Sequence, residues 1–272
     1  MNTPAEAPPK PELSEKDIIS ALQETVSASR LSLFLQCRLK FYFRYVLKLR
    51  KPKTASLHLG SAVHSVLKDW NKARWLQQPL TLKVVHETYL KAWADTTEGP
   101  VDWEPGEEDA EKTTGWRLCD TYLRESHVPA DVKPDAVEVP VEASLAAHGL
   151  PRLIGILDLV QQRQIIDYKT AASTPNLEKV AHTTEIQTSS NALLYRHNTG
   201  HVEAGQQLHH LVKLKNPKVV ITPLPPMSSP QQTRLFRQME AYLEGLQRPD
   251  FIPSPGVHCS SCEFFNECRR WH

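Results

Sequence analysis

Residues 155–170 read GILDLVQQRQIIDYKT, and their reading decides the fold of the whole 272-residue chain. Two runs rich in Ile, Leu and Val, at 154–160 and 165–170, flank the polar residues 161–164. That pattern predicts two short strands joined as a hairpin. Side chains alternate faces along a strand, so Ile154, Ile156, Asp158 and Val160 share one face of the first strand. Ile165, Asp167 and Lys169 share one face of the second. A symmetric closure sets Val160 opposite Ile165 and Asp158 opposite Asp167. Opposed Cβ atoms lie about 4.5–5.5 Å apart, where two carboxylates repel. A divalent cation between them reverses the sign, because hard cations take carboxylate oxygens. Lys169 stands one pleat beyond Asp167, within reach of a bound anion. The pattern D-x-K is short, and the same residues also fit an ordinary hairpin with one solvated face.

Working outward, the length fits one large domain or a domain with appendages. Hydrophobic residues make up 40%, enough for a core, and no run approaches the roughly 20 apolar residues of a membrane span. The opening MNTPAEAPPKPELSEKD lacks an apolar signal region, so a cytoplasmic, membrane-free protein is expected. Net charge is +1, so any basic site must be local. No G-x-x-x-x-G-K-[ST] phosphate loop is present, which argues against a nucleotide motor. The five cysteines are Cys37, Cys119, Cys259, Cys262 and Cys268. In an intracellular chain, such clustering points to metal ligands or reactive thiols rather than disulfides.

Residues 1–26, rich in Pro, Glu and Lys, read as a disordered leader. A helix follows, with Ser27 or Ser29 as N-cap and Leu31, Phe34, Leu35 and Leu39 at helical spacing. From Arg38 to Lys53 stand seven basic residues and no acid, interleaved with Phe41, Tyr42, Phe43 and Tyr45. Such a stretch can track a phosphate backbone, with Arg44 and Lys48 as contacts, or form a solvated basic face over an aromatic core. Residues 57–95 read as helical, with His64 beside the apolar stripe Leu59, Val63, Val66, Leu67 and Trp70. A loop at 98–105, a helix at 107–126 holding Cys119 and a strand at 137–145 lead to the hairpin. After it come a helix at 185–197 ending near Gly200, strands at 207–213 and 218–223, and a helix at 231–246. The chain closes on a cysteine-rich cap, 257–272.

Three stretches in series, LGSAVHSVL, GILDLV and IIDYKT, with NALLYRHNTG after them, resemble the motifs of the RecB-like branch of the PD-(D/E)XK nuclease superfamily. The resemblance runs from about Ser27 to Cys268. It implies an α/β fold of the restriction-endonuclease-like kind, a mixed central sheet flanked by helices, in a single nuclease domain over 27–272. It implies that His64, Asp158 and Asp167, with the backbone carbonyl of Tyr168, hold Mg²⁺ or Mn²⁺, and that Lys169 acts on the phosphate. An imidazole ligand suits Mn²⁺ better than Mg²⁺. Asp158, Asp167 and Lys169 are then the catalytic residues of DNA cleavage, exonucleolytic on single-stranded or end-containing DNA. Glu138 and Glu142 are nearby acids, either supporting the site or exposed. The family pattern places Gln four residues before Tyr195, where this chain has Asn191. Gln187 lies one turn earlier on the same face. All three are expected near the DNA.

The spacing C-x2-C-x5-C of Cys259, Cys262 and Cys268, with Cys37 far upstream, resembles the [4Fe–4S] site of AddB-type nuclease domains and CRISPR-adaptation nucleases. Structural zinc is the alternative, with His258 or His272 as spare ligands. Either centre would clip the two ends of the chain together. Cys119 falls outside the set as an ordinary core thiol. A helicase or a spacer-acquisition protein is the expected partner. The alternative function is a non-cleaving iron–sulfur subunit that binds DNA.

Overall fold

The computed structural model describes residues 13–78, 80–125, 127–128 and 131–271. Helix α1 (Glu15–Glu24) starts at a capping box. The Asp17 amide donates to the Ser14 hydroxyl, and the Ser14 amide donates to the Asp17 carboxylate, both at 3.2 Å. These two bonds satisfy amides that a helix start leaves without partners. Leu22 is buried, Ile18 and Ile19 pack beside it, and the chain runs on into β1 (Thr25–Val26). The disordered leader expected over 1–26 is therefore corrected from Leu13 onward, while residues 1–12 lie outside the described residues. Three apolar residues suffice here because a cap starts the helix and a packed surface receives them.

Helix α2 (Ala28–Gln36) is capped by Ser27, whose hydroxyl accepts from the Arg30 amide at 3.3 Å. The apolar spacing extends one helix to Leu39, but the chain breaks at Cys37, which is extended at φ −160° and ψ 109°. Cys37 then caps the short helix α3 (Arg38–Phe41), and a wide π-turn, Tyr42–Val46, follows. This path buries Phe41, Tyr42 and Phe43 together. Strands β2 (Lys53–Thr54) and β3 (Val101–Asp102) form a small parallel pair. Between them the helical stretch at 57–95 divides into α4 (Ala55–Trp75) and α5 (Leu82–Ala94). Helix α6 (Glu107–Glu125) carries the fully buried Cys119.

The central sheet contains β4 (Ala136–Ala143), β5 (Arg152–Gln161), β6 (Gln164–Ala171), β7 (Gly205–Val212) and β8 (Lys218–Leu224), with β1 added at one side. Strand order is β1-β5-β6-β7-β8, and β4 runs along the other edge of β5. Only β1–β5 and β6–β7 are parallel, so the sheet is mixed. The parallel step from β6 to β7 crosses over through α7 (Leu177–Thr183) and α8 (Glu185–Thr199), as parallel neighbours require. Helix α8 stops at Gly200, whose φ of 71° is cheap only for glycine. Helices α9 (Ser229–Gln247) and α10 (Phe265–Cys268) complete the chain.

Helices flank both faces, as expected. On one face Leu59, Val63 and Val66 of α4 and Tyr122 of α6 cluster with Leu159, Ile166 and Tyr168. On the other, Phe34 of α2, Leu194 of α8 and Tyr242 of α9 pack with Ala143 and Leu153.

The hairpin register matches the reading at Val160 and Ile165, which pair. The loop is tighter than expected. Gln161 pairs with Gln164, leaving Gln162 and Arg163 as a two-residue turn with φ of 51° and 62°. Two left-handed turn residues match the twist of the flanking strands. The ladder then ends at Leu159–Ile166. One step beyond, the Tyr168 amide donates to Asp158 Oδ2 at 3.1 Å, a side chain replacing a strand partner. The same edge of β5 is next paired only at Arg152 and Leu153, with β1. Residues 154–158 thus face a gap between β6 and β1.

Candidate active site

The gap is where the functional side chains meet. His64 follows Val63 on α4, so the apolar stripe that seats the helix also fixes the imidazole. Its Nε2 donates to the Tyr168 carbonyl at 2.9 Å, and its Nδ1 lies 3.7 Å from Asp158 Oδ2. Asp158 is pushed up to about 6, first by burial and then by the charge of Asp167, while His64 and the Tyr168 amide oppose the shift. Burial disfavours the charged form, and a like charge adds to it.

Glu138 joins them. It sits on β4 in the place that would pair with Asp158, between Val137–Leu159 and Val139–Leu157, and the ladder skips it. Its φ is +48°, a strained conformation for a side-chain-bearing residue. The twist brings its carboxylate in: one ligand atom each from His64, Glu138 and Asp158 lie within 4.8 Å of one another. Burial raises the Glu138 carboxyl, and His64, Lys68 and Lys72 oppose that. Strain of this kind persists where the surroundings enforce it, often at functional sites. Two carboxylates and an imidazole form a donor set for a divalent cation. Glu142 takes no part; it is exposed and pairs with Arg152.

Asp167 makes a second group. Its Oδ1 accepts from Gln187 Nε2 at 2.7 Å. Its Oδ2 lies 2.8 Å from Lys169 Nζ in an ion pair, yet no donor is aligned on that buried oxygen. An oxygen so placed fits a metal ion as a further partner. Lys169 Nζ also donates to Gln187 Oε1 at 2.8 Å. Gln187 therefore holds both residues of the D-x-K pair, and it supplies the amide that the family pattern puts at 191. Asn191 is 7% exposed without a side-chain hydrogen bond among the described residues. Tyr195 packs under the hairpin against Leu157, Val160 and Ile165, so its ring is core, not a surface for DNA.

Sequence reasoning grouped His64, Asp158, Asp167, the Tyr168 carbonyl and Lys169, and the structure places them together; Gln187, expected near the DNA, stands on Asp167 and Lys169 instead. Sequence reasoning named Glu138 only as a nearby acid, either supporting the site or exposed, and did not place it beside His64 and Asp158. Cross-strand register could have found that residue, but nothing in the sequence announces its positive φ.

The four cysteines form a separate place. Cys37, Cys259, Cys262 and Cys268 line one cavity with Pro253, Phe264 and Phe265. The Lys40 amide donates to Cys37 Sγ at 3.4 Å. Burial raises the Cys268 thiol, and Cys37, Cys262 and Cys259 add to it. No three of these sulfurs lie within 4.8 Å of one another; among the described residues only the His64 group does. The basic segment is bound to this cap. Arg44 pairs with Glu263, Lys40 lies 3.6 Å from the same carboxylate, and Lys51 pairs with Glu267 at 2.5 Å. Lys48 is exposed with a φ of 53° and has no ion pair among the described residues. Phe41, Tyr42 and Phe43 are core residues, which leaves them no role in base stacking.

Residues 25–269 match the model of the PD-(D/E)XK nuclease superfamily, and the chain belongs to that superfamily. Among solved structures it is similar to one named "Putative exonuclease" from Eubacterium rectale. Identity is 14%, with 97% of this chain and 94% of that chain covered and a TM-score of 0.60, a likeness of fold. SSO0001 aligns at 12% identity over 89% of this chain and 95% of that one, with a TM-score of 0.38. No curated protein matches the sequence.

Proposed function

We propose that the protein is a Mg²⁺- or Mn²⁺-dependent deoxyribonuclease, an exonuclease acting on single-stranded or end-containing DNA in repair, recombination or defence. The observation that carries this reading is the convergence of His64, Glu138, Asp158, Asp167, Lys169 and Gln187 from α4, β4, the hairpin and α8. A divalent cation would be held by His64, Asp158, Glu138 and the Tyr168 carbonyl, with Asp167 Oδ2 beside them. When bound it supplies an activated water and neutralises charge on the phosphate. Lys169 offers its ammonium to the phosphate oxygens as negative charge builds there. Gln187 keeps Asp167 and Lys169 in register, so neither must be ordered when substrate arrives. The name of the Eubacterium rectale neighbour supports the exonuclease choice.

We assign a [4Fe–4S] cluster to Cys37, Cys259, Cys262 and Cys268. The four thiols line one cavity, and four such donors suit a cluster as they would suit zinc. A helicase or spacer-acquisition partner would supply the motor that this sequence lacks. No helix among the described residues is long and apolar enough to cross a membrane. The test is incubation of anaerobically purified protein with DNA end-labelled at either terminus, with Mn²⁺ or with EDTA. Mn²⁺-dependent release of short products from one terminus is expected. Binding without cleavage would instead favour the non-cleaving iron–sulfur subunit.

A further inference from the structure

A groove of about 470 Å³ leads away from Lys169 through the gap in the sheet. Residues 154–156 floor it. One wall is the start of α2, with Ser27, Ser29 and Ser32; the other is α8, with Ser190 and Asn191. Two independent features mark it as built for a ligand. The first is the nine-residue helix α2, whose N-terminus opens here. Its Arg30 amide goes to the Ser27 hydroxyl, and the amides of Ala28 and Ser29 find no acceptor among the described residues. The second is Ser190. It is 1% exposed, and its hydroxyl has no partner among the described residues. Nearby Thr188 turns its hydroxyl back to the Thr184 carbonyl, the usual resort of a helical hydroxyl. Ser190 does not. An unpartnered polar group buried in a groove wall is costly unless something else binds it.

We infer that this groove holds the phosphate adjacent to the scissile one on the same DNA strand. The inference rests on the nuclease reading above and adds a subsite to it. The donors suit a phosphodiester: hydroxyls, an amide and free backbone N–H groups at a helix N-terminus, with Lys169 at one end. Apart from Lys169 the groove is neutral, so the contact is made by hydrogen bonds more than by ion pairing.

Two substitutions separate this role from a structural one. Ser29→Asp puts an acid in the first turn of α2, where the helix dipole favours it, so Tm should equal or exceed that of the wild type. Ser190→Ala removes a buried hydroxyl that has no partner, with the same expectation for Tm. Both should nevertheless raise KM for an end-labelled oligodeoxynucleotide with Mn²⁺, Ser29→Asp by about ten-fold or more through like-charge repulsion. A methylphosphonate replacing the phosphate next to the scissile bond should impair the wild type and cost Ser29→Asp far less. Wild-type KM in both variants, or an equal methylphosphonate penalty in all three proteins, would overturn the subsite while leaving the nuclease intact. A wild-type protein that cleaves nothing would remove the nuclease reading and the subsite together.

Discussion

Asp158, Asp167 and Lys169 stand on two strands joined by a two-residue turn, whereas Cys37 and Cys259 come from opposite ends of the chain. The first group is placed by local backbone geometry and seated between α4 and α8. The second depends on contacts that close nearly the whole sequence. Leu39 N–H donates to the Ile252 carbonyl at 3.1 Å, Tyr42 stacks on Phe251 at 4.7 Å, and Arg44 and Lys51 reach Glu263 and Glu267. The difference separates chemistry from closure. Damage to the hairpin should remove activity and spare the fold, while damage to the cap should cost stability first.

The sharpest test of that contrast is at the acids. Asp158→Ala or Asp167→Ala should reduce cleavage by about 10³-fold or more, since each removes a group acting on the metal-assisted step. DNA affinity in EDTA should stay near that of the wild type. Thermal stability should hold or rise for Asp158→Ala, because a buried carboxylate repelled by Asp167 is removed. Cleavage at the wild-type rate by both variants would end the assignment of the hairpin.

At the cap the order of effects should invert. Cys37→Ala and Cys262→Ala should both lose the brown colour and acid-labile sulfide of anaerobically purified protein, with Tm lowered by several degrees, about 2–5 kcal/mol if the cluster acts like a native cross-link. Cys119 is fully buried, and burial drives its thiol pKa far upward, so Cys119→Ala should keep the colour. Colourless wild-type protein with one equivalent of zinc would transfer the site to zinc. A brown Cys37→Ala variant of normal stability would show that the chain ends are not joined through this residue.

Protons give a milder probe of the hairpin. Asp158 titrates near 6 in the folded chain, above an ordinary carboxyl. Between those two values the folded state binds more protons than the unfolded state, so this group's contribution to stability falls as pH rises through the window. Above about 6 the folded protein bears the full penalty of the buried charge. A divalent cation binds the deprotonated form and offsets that penalty where it is greatest. Mn²⁺ should therefore raise Tm more at about pH 7.5 than at about pH 5, with apparent affinity weakening about ten-fold per unit below 6. Calorimetry that finds Mn²⁺ affinity flat across this range would exclude Asp158 as a ligand. The cysteine cap should show no matching dependence on added Mn²⁺.

Much of the candidate site was legible because a strand writes its faces into alternate residues. The common side of Asp167 and Lys169 followed from that, and the pairing of Val160 with Ile165 from a symmetric closure of the hairpin. What escaped depends on backbone departures that no pattern encodes. Glu138 enters the site through a positive φ, and the pair Asp158–Asp167 is not a ladder pair because the strands part at Leu159. The order of α1 escaped for another reason. Its few apolar residues gain their value from surfaces made by distant parts of the chain, including the Leu22 carbonyl held by the Tyr242 hydroxyl at 3.0 Å. The meeting of the four cysteines was legible through the spacing of the last three and the resemblance that joins Cys37 to them. The place of the basic segment was not, because the acids that engage it lie more than two hundred residues away.

That segment gives the smallest expected effect and the finest test of the contrast. Read alone, Arg44 and Lys48 are equivalent phosphate contacts. In the structure Arg44 is engaged by Glu263 of the cap, while Lys48 is exposed and has no ion pair among the described residues. A free lysine that meets a phosphate releases counterions, so Lys48→Ala should weaken DNA binding a few-fold and lower the salt slope by about 0.7–0.9. Arg44 is 42% exposed, and an ion pair of that kind contributes little, so Arg44→Ala should cost a fraction of the roughly 1 kcal/mol upper range in stability. Its salt slope for DNA should stay at the wild-type value. The measurement is anisotropy of a labelled oligodeoxynucleotide in EDTA across a salt series. Equal loss of slope in both variants would mean that Arg44 leaves Glu263 for the phosphate, making the basic segment part of the DNA path as well as a clamp on the cap. No change in either would confine the segment to holding the cap and place the DNA path wholly on the side of the groove.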